Sequence, residues 1–238
     1  MLWGIVGAGI GVKLVLAFAL VGHVPDIGSF GLVREVLKGD DPLGVYSAVN
    51  NDSVGPRWPY PPGLFPWILF AGQTADTTGL AFHGLIQVPS ILADAATAWL
   101  VQAELGRRGA REPARLWAAG AIALGPMYLL ISGWWGQIDS LAALAAVAGV
   151  IVWTRRGDGA RDVPLAGALV GLAAAIKTPL GLTLLALLPT ARSWREAGTV
   201  AAAGVAVPLA LLTPFLLADA SGTIDAFRYA GLPGQGGG

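Results

Sequence analysis

Long apolar runs separated by clusters of arginine constrain this chain more than any motif in it. A helix crosses the bilayer core with about 20 apolar residues. Residues 2–21, 80–103, 116–133, 138–153 and 198–217 each read as such a run. Lipid offers no partner for a bare backbone N–H or C=O, so runs of this kind fold as helices. The sequence therefore predicts an all-α, polytopic transmembrane helix bundle. Only 13% of the residues are charged, about half the usual ~25% share of a soluble domain. Acidic and basic residues cancel at 15 each, so no positive field points to nucleic acid. There is no cysteine and only two histidines, which excludes disulfides, thiolate metal sites and a histidine-rich metal cluster. Residues 2–21 lack the basic flank and cleavage site of a signal peptide, and are read as a retained first helix.

Arginine placement sets orientation, because cytoplasmic loops retain Lys and Arg. The loops around 104–115, 155–162 and 191–196 are all basic, and are assigned to the cytoplasmic side. The connection carrying Trp134, Gln137 and Asp139 lies between two of them and is assigned outside. Residues 164–189 must then go out and return, with Lys177 at the outermost point. Each half is about 13 residues, or roughly 20 Å of helix, too short for a core of about 30 Å. The expectation is a broken re-entrant hairpin packed in protein or beside a cavity.

Working backwards, residues 1–22 are the first helix and 23–61 a polar external loop. Within that loop, Ile27, Phe30, Leu32, Val33, Val36 and Leu37 recur at helical spacing. They predict a short amphipathic helix on the membrane surface. Residues 62–217 form the bundle, with short and broken helices. Residues 63–72 are apolar but short, and are read as a dip that does not cross; a crossing there would separate Asp26 from Asp139. Residues 218–238 read as an external glycine-rich tail, cut in mid-loop.

The external face collects Asp26, the run from Trp58 to Pro62, Gln137, Asp139 and Lys177. Taking a proton from an acceptor hydroxyl needs a base. Release of a phosphate needs a cation. A carboxylate and a lysine in one cleft supply both. Each residue also has a plainer reading. Asp26 can be the N-cap of the helix over 27–37. Trp58 and Tyr60 can be interface-belt aromatics, and Pro61 with Pro62 a helix start. Gln137 and Asp139 can cap the next span, and Asp94 and Lys13 can pair with other helices. Arg57 is a candidate phosphate contact or a surface anchor. Asp40 and Asp41, beside Gly39 and Pro42, read as a turn rather than a metal site. Lys177 is the hardest to dismiss, because an ionisable group inside an apolar membrane segment is a functional hypothesis by default.

The order of these pieces resembles the GT-C superfamily of membrane glycosyltransferases that use polyprenyl- or dolichyl-phosphate sugars. The matching pieces are Asp26, Gly-Asp-Asp-Pro-Leu-Gly-Val-Tyr at 39–46, Tyr-Pro-Pro at 60–62, Asp94 in a helix, Gly-Gln-Ile-Asp at 136–139 and Lys-Thr-Pro at 177–179. The resemblance implies inverting transfer of a hexose, most often mannose, to a lipid or glycan acceptor on the extracytoplasmic face of a bacterial plasma membrane. It implies Asp26 as the general base and Lys177 as a donor-phosphate contact. Gln137, Asp139, Tyr60, Arg57 and Asp94 are the further candidate substrate contacts. No metal or other cofactor is expected. Relatives of this type usually run longer, so missing C-terminal helices or a partner subunit are expected. Two other classes fit parts of the pattern: a transporter or flippase, and a non-catalytic subunit of a glycosylation complex.

Overall fold

The computed structural model describes residues 1–50, 58–157 and 161–229, and the regular structure among them is helical. Four helical segments are long and apolar enough to cross a membrane: Leu2–Ala19, Phe82–Arg107, Glu112–Trp135 and Trp194–Ala218. The first is α1 and the second α5. The third is broken. Helix α6 (Glu112–Leu124) ends at Gly125, which precedes Pro126 and takes an extended ψ of 140°, as a residue before proline favours. The short α7 (Pro126–Leu130) then opens into one wide π turn over Ile131–Trp135. Two shorter helices follow, α8 (Asp139–Arg155) and α9 (Asp162–Ile176). The chain breaks at Lys177, continues as 3₁₀ and α turns (α10, Thr183–Leu187), and re-enters regular helix as α11, Trp194–Ala218. The break has a local cause: Pro179 has no N–H to continue the α-helical ladder and its ring would meet the carbonyl four residues back, and the chain leaves the helix at Lys177, extended at φ −144°, ψ 106°.

Small residues let these helices touch through their backbones. Helix α9 lies between α8 and α11. A Cβ on its Gly171 would stand 2.5 Å from the Gly204 carbonyl oxygen of α11, so the contact requires glycine. Helix α1 packs on α5 and α6. The basic loops gather at one end of the bundle. There Glu104 of α5 takes Arg107 at 3.2 Å, Arg108 at 2.8 Å and Arg155 of α8, while Arg156, just past α8, pairs with Glu196 of α11 at 2.5 Å.

The other end carries α2 (Val24–Lys38), α3 (Val45–Asn50) and α4 (Phe65–Thr78). Phe30, Val33, Tyr46, Trp58, Phe65 and Ile68 form their shared core. Helices α2 and α4 pack side by side and finish together: Arg34 and Lys38 bind Asp76 at 2.5 and 3.1 Å. After Gly79 the chain turns directly into α5. Helix α4 therefore hands over to α5 without visiting the arginine end.

Several local expectations are corrected. The N-cap of α2 is His23, and Asp26 lies inside its first turn. The apolar stretch 63–72 extends as helix to Thr78, because Asp76 on its polar extension is held by two cations of α2. Trp58 is 1% exposed, a core residue rather than an interface-belt one, packed edge-on against Phe30 and Tyr60. The start of the presumed tail is a helix, α12 (Ala220–Tyr229). It is anchored where Ser47 Oγ and the Gly222 N–H donate to Asp219, and where Ala226 and Phe227 pack into the α2–α4 core. Asp41 does make the expected turn, its carboxylate accepting from the Gly44 N–H at 3.1 Å.

Candidate active site

Asp26 occupies the first turn of α2, where the exposed N–H ends of the helix favour a carboxylate. One oxygen, Oδ2, carries its side-chain bonds to the described residues. It accepts from Trp135 Nε1 at 2.6 Å and Gln137 Nε2 at 2.7 Å, and lies 2.8 Å from His23 Nδ1. The other oxygen, Oδ1, has no partner among the described residues. The side chain is 31% exposed, so the carboxylate is open to solvent. The His23 ring also leans on Trp135, centroids 5.3 Å apart.

Trp135 and Gln137 reach Asp26 because the π turn and the residue after it redirect the chain. Gly136 sits at φ 83°, and a Cβ there would strike Ile27 Cδ1 at 2.6 Å. Only glycine allows this left-handed corner against α2. Gln137 is then pinned through its backbone. Its N–H donates to Ile131 at 3.2 Å, and its carbonyl accepts from Ser90 Oγ of α5 at 2.9 Å.

Asp139 is the first residue of α8, again at a helix N-terminus. Both its oxygens accept from Lys177 Nζ at 2.6 Å. The same amine lies 3.5 Å from Gln137 Oε1, the outer limit of a hydrogen bond. Gln137 thus has its amide nitrogen on Asp26 and its amide oxygen toward Lys177. The Tyr60 ring covers the amine, 5.6 Å from centroid to Nζ, a cation–π arrangement. Its loop is held by Tyr46 Oη, which donates to the Tyr60 carbonyl at 3.0 Å, and by Asn50 Oδ1, which accepts from the Trp58 N–H at 3.0 Å. Burial, then the Asp26 and Asp139 carboxylates, push the Tyr60 phenol above its ordinary pKa. It therefore stays a neutral donor at physiological pH.

The structure brings together Asp26, Gln137, Asp139, Tyr60 and Lys177. Asp94 is held apart from them, in a buried pair with Lys13 at 2.6 Å. Arg57 lies outside the described residues. Sequence reasoning gave His23 and Trp135 no place beside Asp26. The signal was faint: His23 stands one helical turn before Asp26, and Trp135 two residues before Gln137. Chemically, the cluster offers a carboxylate with one open oxygen, a lysine, and several N–H or O–H donors on one surface.

The family model described as Glycosyltransferase family 87 matches residues 58–231. No curated protein and no solved structure matches the chain.

Proposed function

The chain belongs to glycosyltransferase family 87 and is an integral membrane glycosyltransferase; on that premise we propose that it moves a hexose, mannose by preference, from a polyprenyl phosphate to a lipid or glycan hydroxyl. Asp26 Oδ1 takes the proton of the acceptor hydroxyl. The acceptor oxygen attacks the anomeric carbon from the face opposite the phosphate. The bond from that carbon to the phosphate oxygen breaks, its electron pair leaves on the phosphate, and the configuration inverts. Trp135 and Gln137 hold Asp26 in line for the proton transfer. Lys177 meets the charge that develops on the leaving phosphate, exchanging part of its contact with Asp139 for the donor. With a lysine in that role, no metal is required. Tyr60 shapes the space between base and amine. The site faces away from the cytoplasm, because the arginine end of the bundle is the cytoplasmic one by the positive-inside rule.

One observation carries this reading: the Asp26 carboxylate, bound through Oδ2, and the Lys177 amine flank the two ends of a single glutamine amide. The family match supports the enzyme over the transporter reading. The test is a donor panel in membranes containing the overproduced chain, with radiolabelled polyprenyl-phosphate mannose, polyprenyl-phosphate glucose or the matching nucleotide sugars. Label is expected to reach a lipid or glycan product from the polyprenyl-phosphate hexose, with mannose faster. Equal transfer from a nucleotide sugar, with lipid-linked sugar synthesis blocked, contradicts the proposed donor.

A further inference from the structure

The most buried ion pair of the described residues belongs to neither the base nor the amine site. Lys13 and Asp94 are 1% and 2% exposed in their side chains, and sit in the interior of α1 and α5. Ionised groups at such depth are costly and need a compensating role. Stability is a poor one, since well-packed apolar residues of similar volume often serve a buried site as well or better.

The surroundings of Lys13 give another. Its amine lies 3.5 Å from the Ile122 carbonyl of α6 and 5.7 Å from the centroid of the Tyr128 ring of α7. Its stem is the floor under the π turn. A Cβ on Gly133, within that turn, would lie 3.1 Å from Lys13 Cα and 3.2 Å from its Cβ and Cγ. A π turn is uncommon and is held by its surroundings rather than by local preference. This one delivers Trp135 and, just beyond it, Gln137. Helix α5 holds the same segment from the other side: Ser90, one helical turn before Asp94 on the same face, donates to the Gln137 carbonyl at 2.9 Å. The first helix and α5 are thus locked together at the level where both touch the turn that supplies the Asp26 donors.

The geometry points to Lys13 and Asp94 as positioning residues: their ion pair sets the π turn that aims Trp135 and Gln137 at the Asp26 carboxylate. The inference rests on the reading of Asp26 as the base, and its test includes a readout independent of transfer. The variants are the apolar double substitution Lys13→Met with Asp94→Leu, and the single Asp94→Asn. The second keeps the shape of the site and a hydrogen bond to Lys13 if the first does not insert.

The chain is labelled with 5-fluorotryptophan, and the Trp135 resonance is assigned with Trp135→Phe. In both variants that resonance is expected to move. The apolar double variant should lose roughly ten- to hundredfold in kcat, the scale of a misplaced catalytic group, with KM for the polyprenyl-phosphate hexose within about twofold of the parent. An unmoved Trp135 resonance in a folded, membrane-inserted variant overturns the inference. A moved resonance in a protein whose parent form transfers nothing from a polyprenyl-phosphate hexose supports the positioning and removes the transfer reading instead.

Discussion

The Gln137 side-chain nitrogen donates to the Asp26 carboxylate at 2.7 Å, joining the first turn of α2 to the connection that opens α8. That bond places the carboxylate against a segment whose next acidic residue, Asp139, holds Lys177. The glutamine amide fixes both the orientation of the carboxylate and its distance from the cation. The carboxylate and the amine thus share one surface, open to solvent at Asp26 and at Asp139.

Lys177 should matter to turnover far more than to stability. Its partner Asp139 is 41% exposed, and a pair that open contributes only about 0–1 kcal/mol. Lys177→Met is expected to lower kcat/KM for the lipid-linked donor by roughly 10²–10³-fold, as loss of a charge-stabilising group does. The thermal midpoint in detergent should stay nearly unchanged. Lys177→Arg should recover part of the activity. The pairing of donor kinetics with a melting curve checks this. A large drop in midpoint together with intact kinetics would assign Lys177 to structure.

Alkaline pH should destabilise the protein through two tyrosines. Burial raises the phenol of Tyr46, and burial with two nearby carboxylates raises that of Tyr60. The unfolded phenols release their protons near pH 10, while the folded ones keep them. Above that pH the folded state binds more protons than the unfolded state, so the slope of stability with pH is negative. The contribution is complete below about pH 10 and is lost as pH rises through the folded values. Melting curves between pH 8 and pH 11 should show the decline, and Tyr46→Phe should flatten it. A parent protein with the same midpoint across that range contradicts the assignment.

The two ends of the bundle should label from opposite sides. The chain has no cysteine of its own, so a single introduced thiol reports cleanly. Thr78→Cys, exposed at the end of α4, should react with a membrane-impermeant maleimide on intact cells. Ala114→Cys, exposed in the first turn of α6 near the arginines, should react only after permeabilisation. The reverse pattern would put the Asp26 cluster on the cytoplasmic side.

Much of this architecture was legible because membrane constraints are written in composition. Apolar length located four of the five expected spans, the fifth, 138–153, being the shorter α8, and arginine placement predicted which loops share an end, as Glu104 with Arg155 and Arg156 with Glu196 now show. Lys-Thr-Pro located the break of α9, since proline cannot continue the helical ladder. Relationships between distant side chains were not legible. Lys13 and Asp94 were visible as two ionisable groups inside spans, but only packing of α1 on α5 reveals that they bind each other. Helix α12 was missed because half of its ten residues are polar or glycine, and its packing partner Tyr46 lies far away in the chain. The polar half of α4 was missed for the same reason, its Asp76 being held by cations from α2. Arginine counting could place Asp26 and Lys177 on one side of the membrane, but not on the two ends of one amide.

The most direct measurement is hexose transfer by Asp26→Asn, which keeps size and hydrogen bonding and removes the base. With the variant inserted at parental levels and helical by circular dichroism, transfer from polyprenyl-phosphate hexose should fall by about 10²–10⁴-fold, the range for loss of a general base, while Asp26→Glu keeps measurable turnover. Parental rates in the Asn variant would contradict the account.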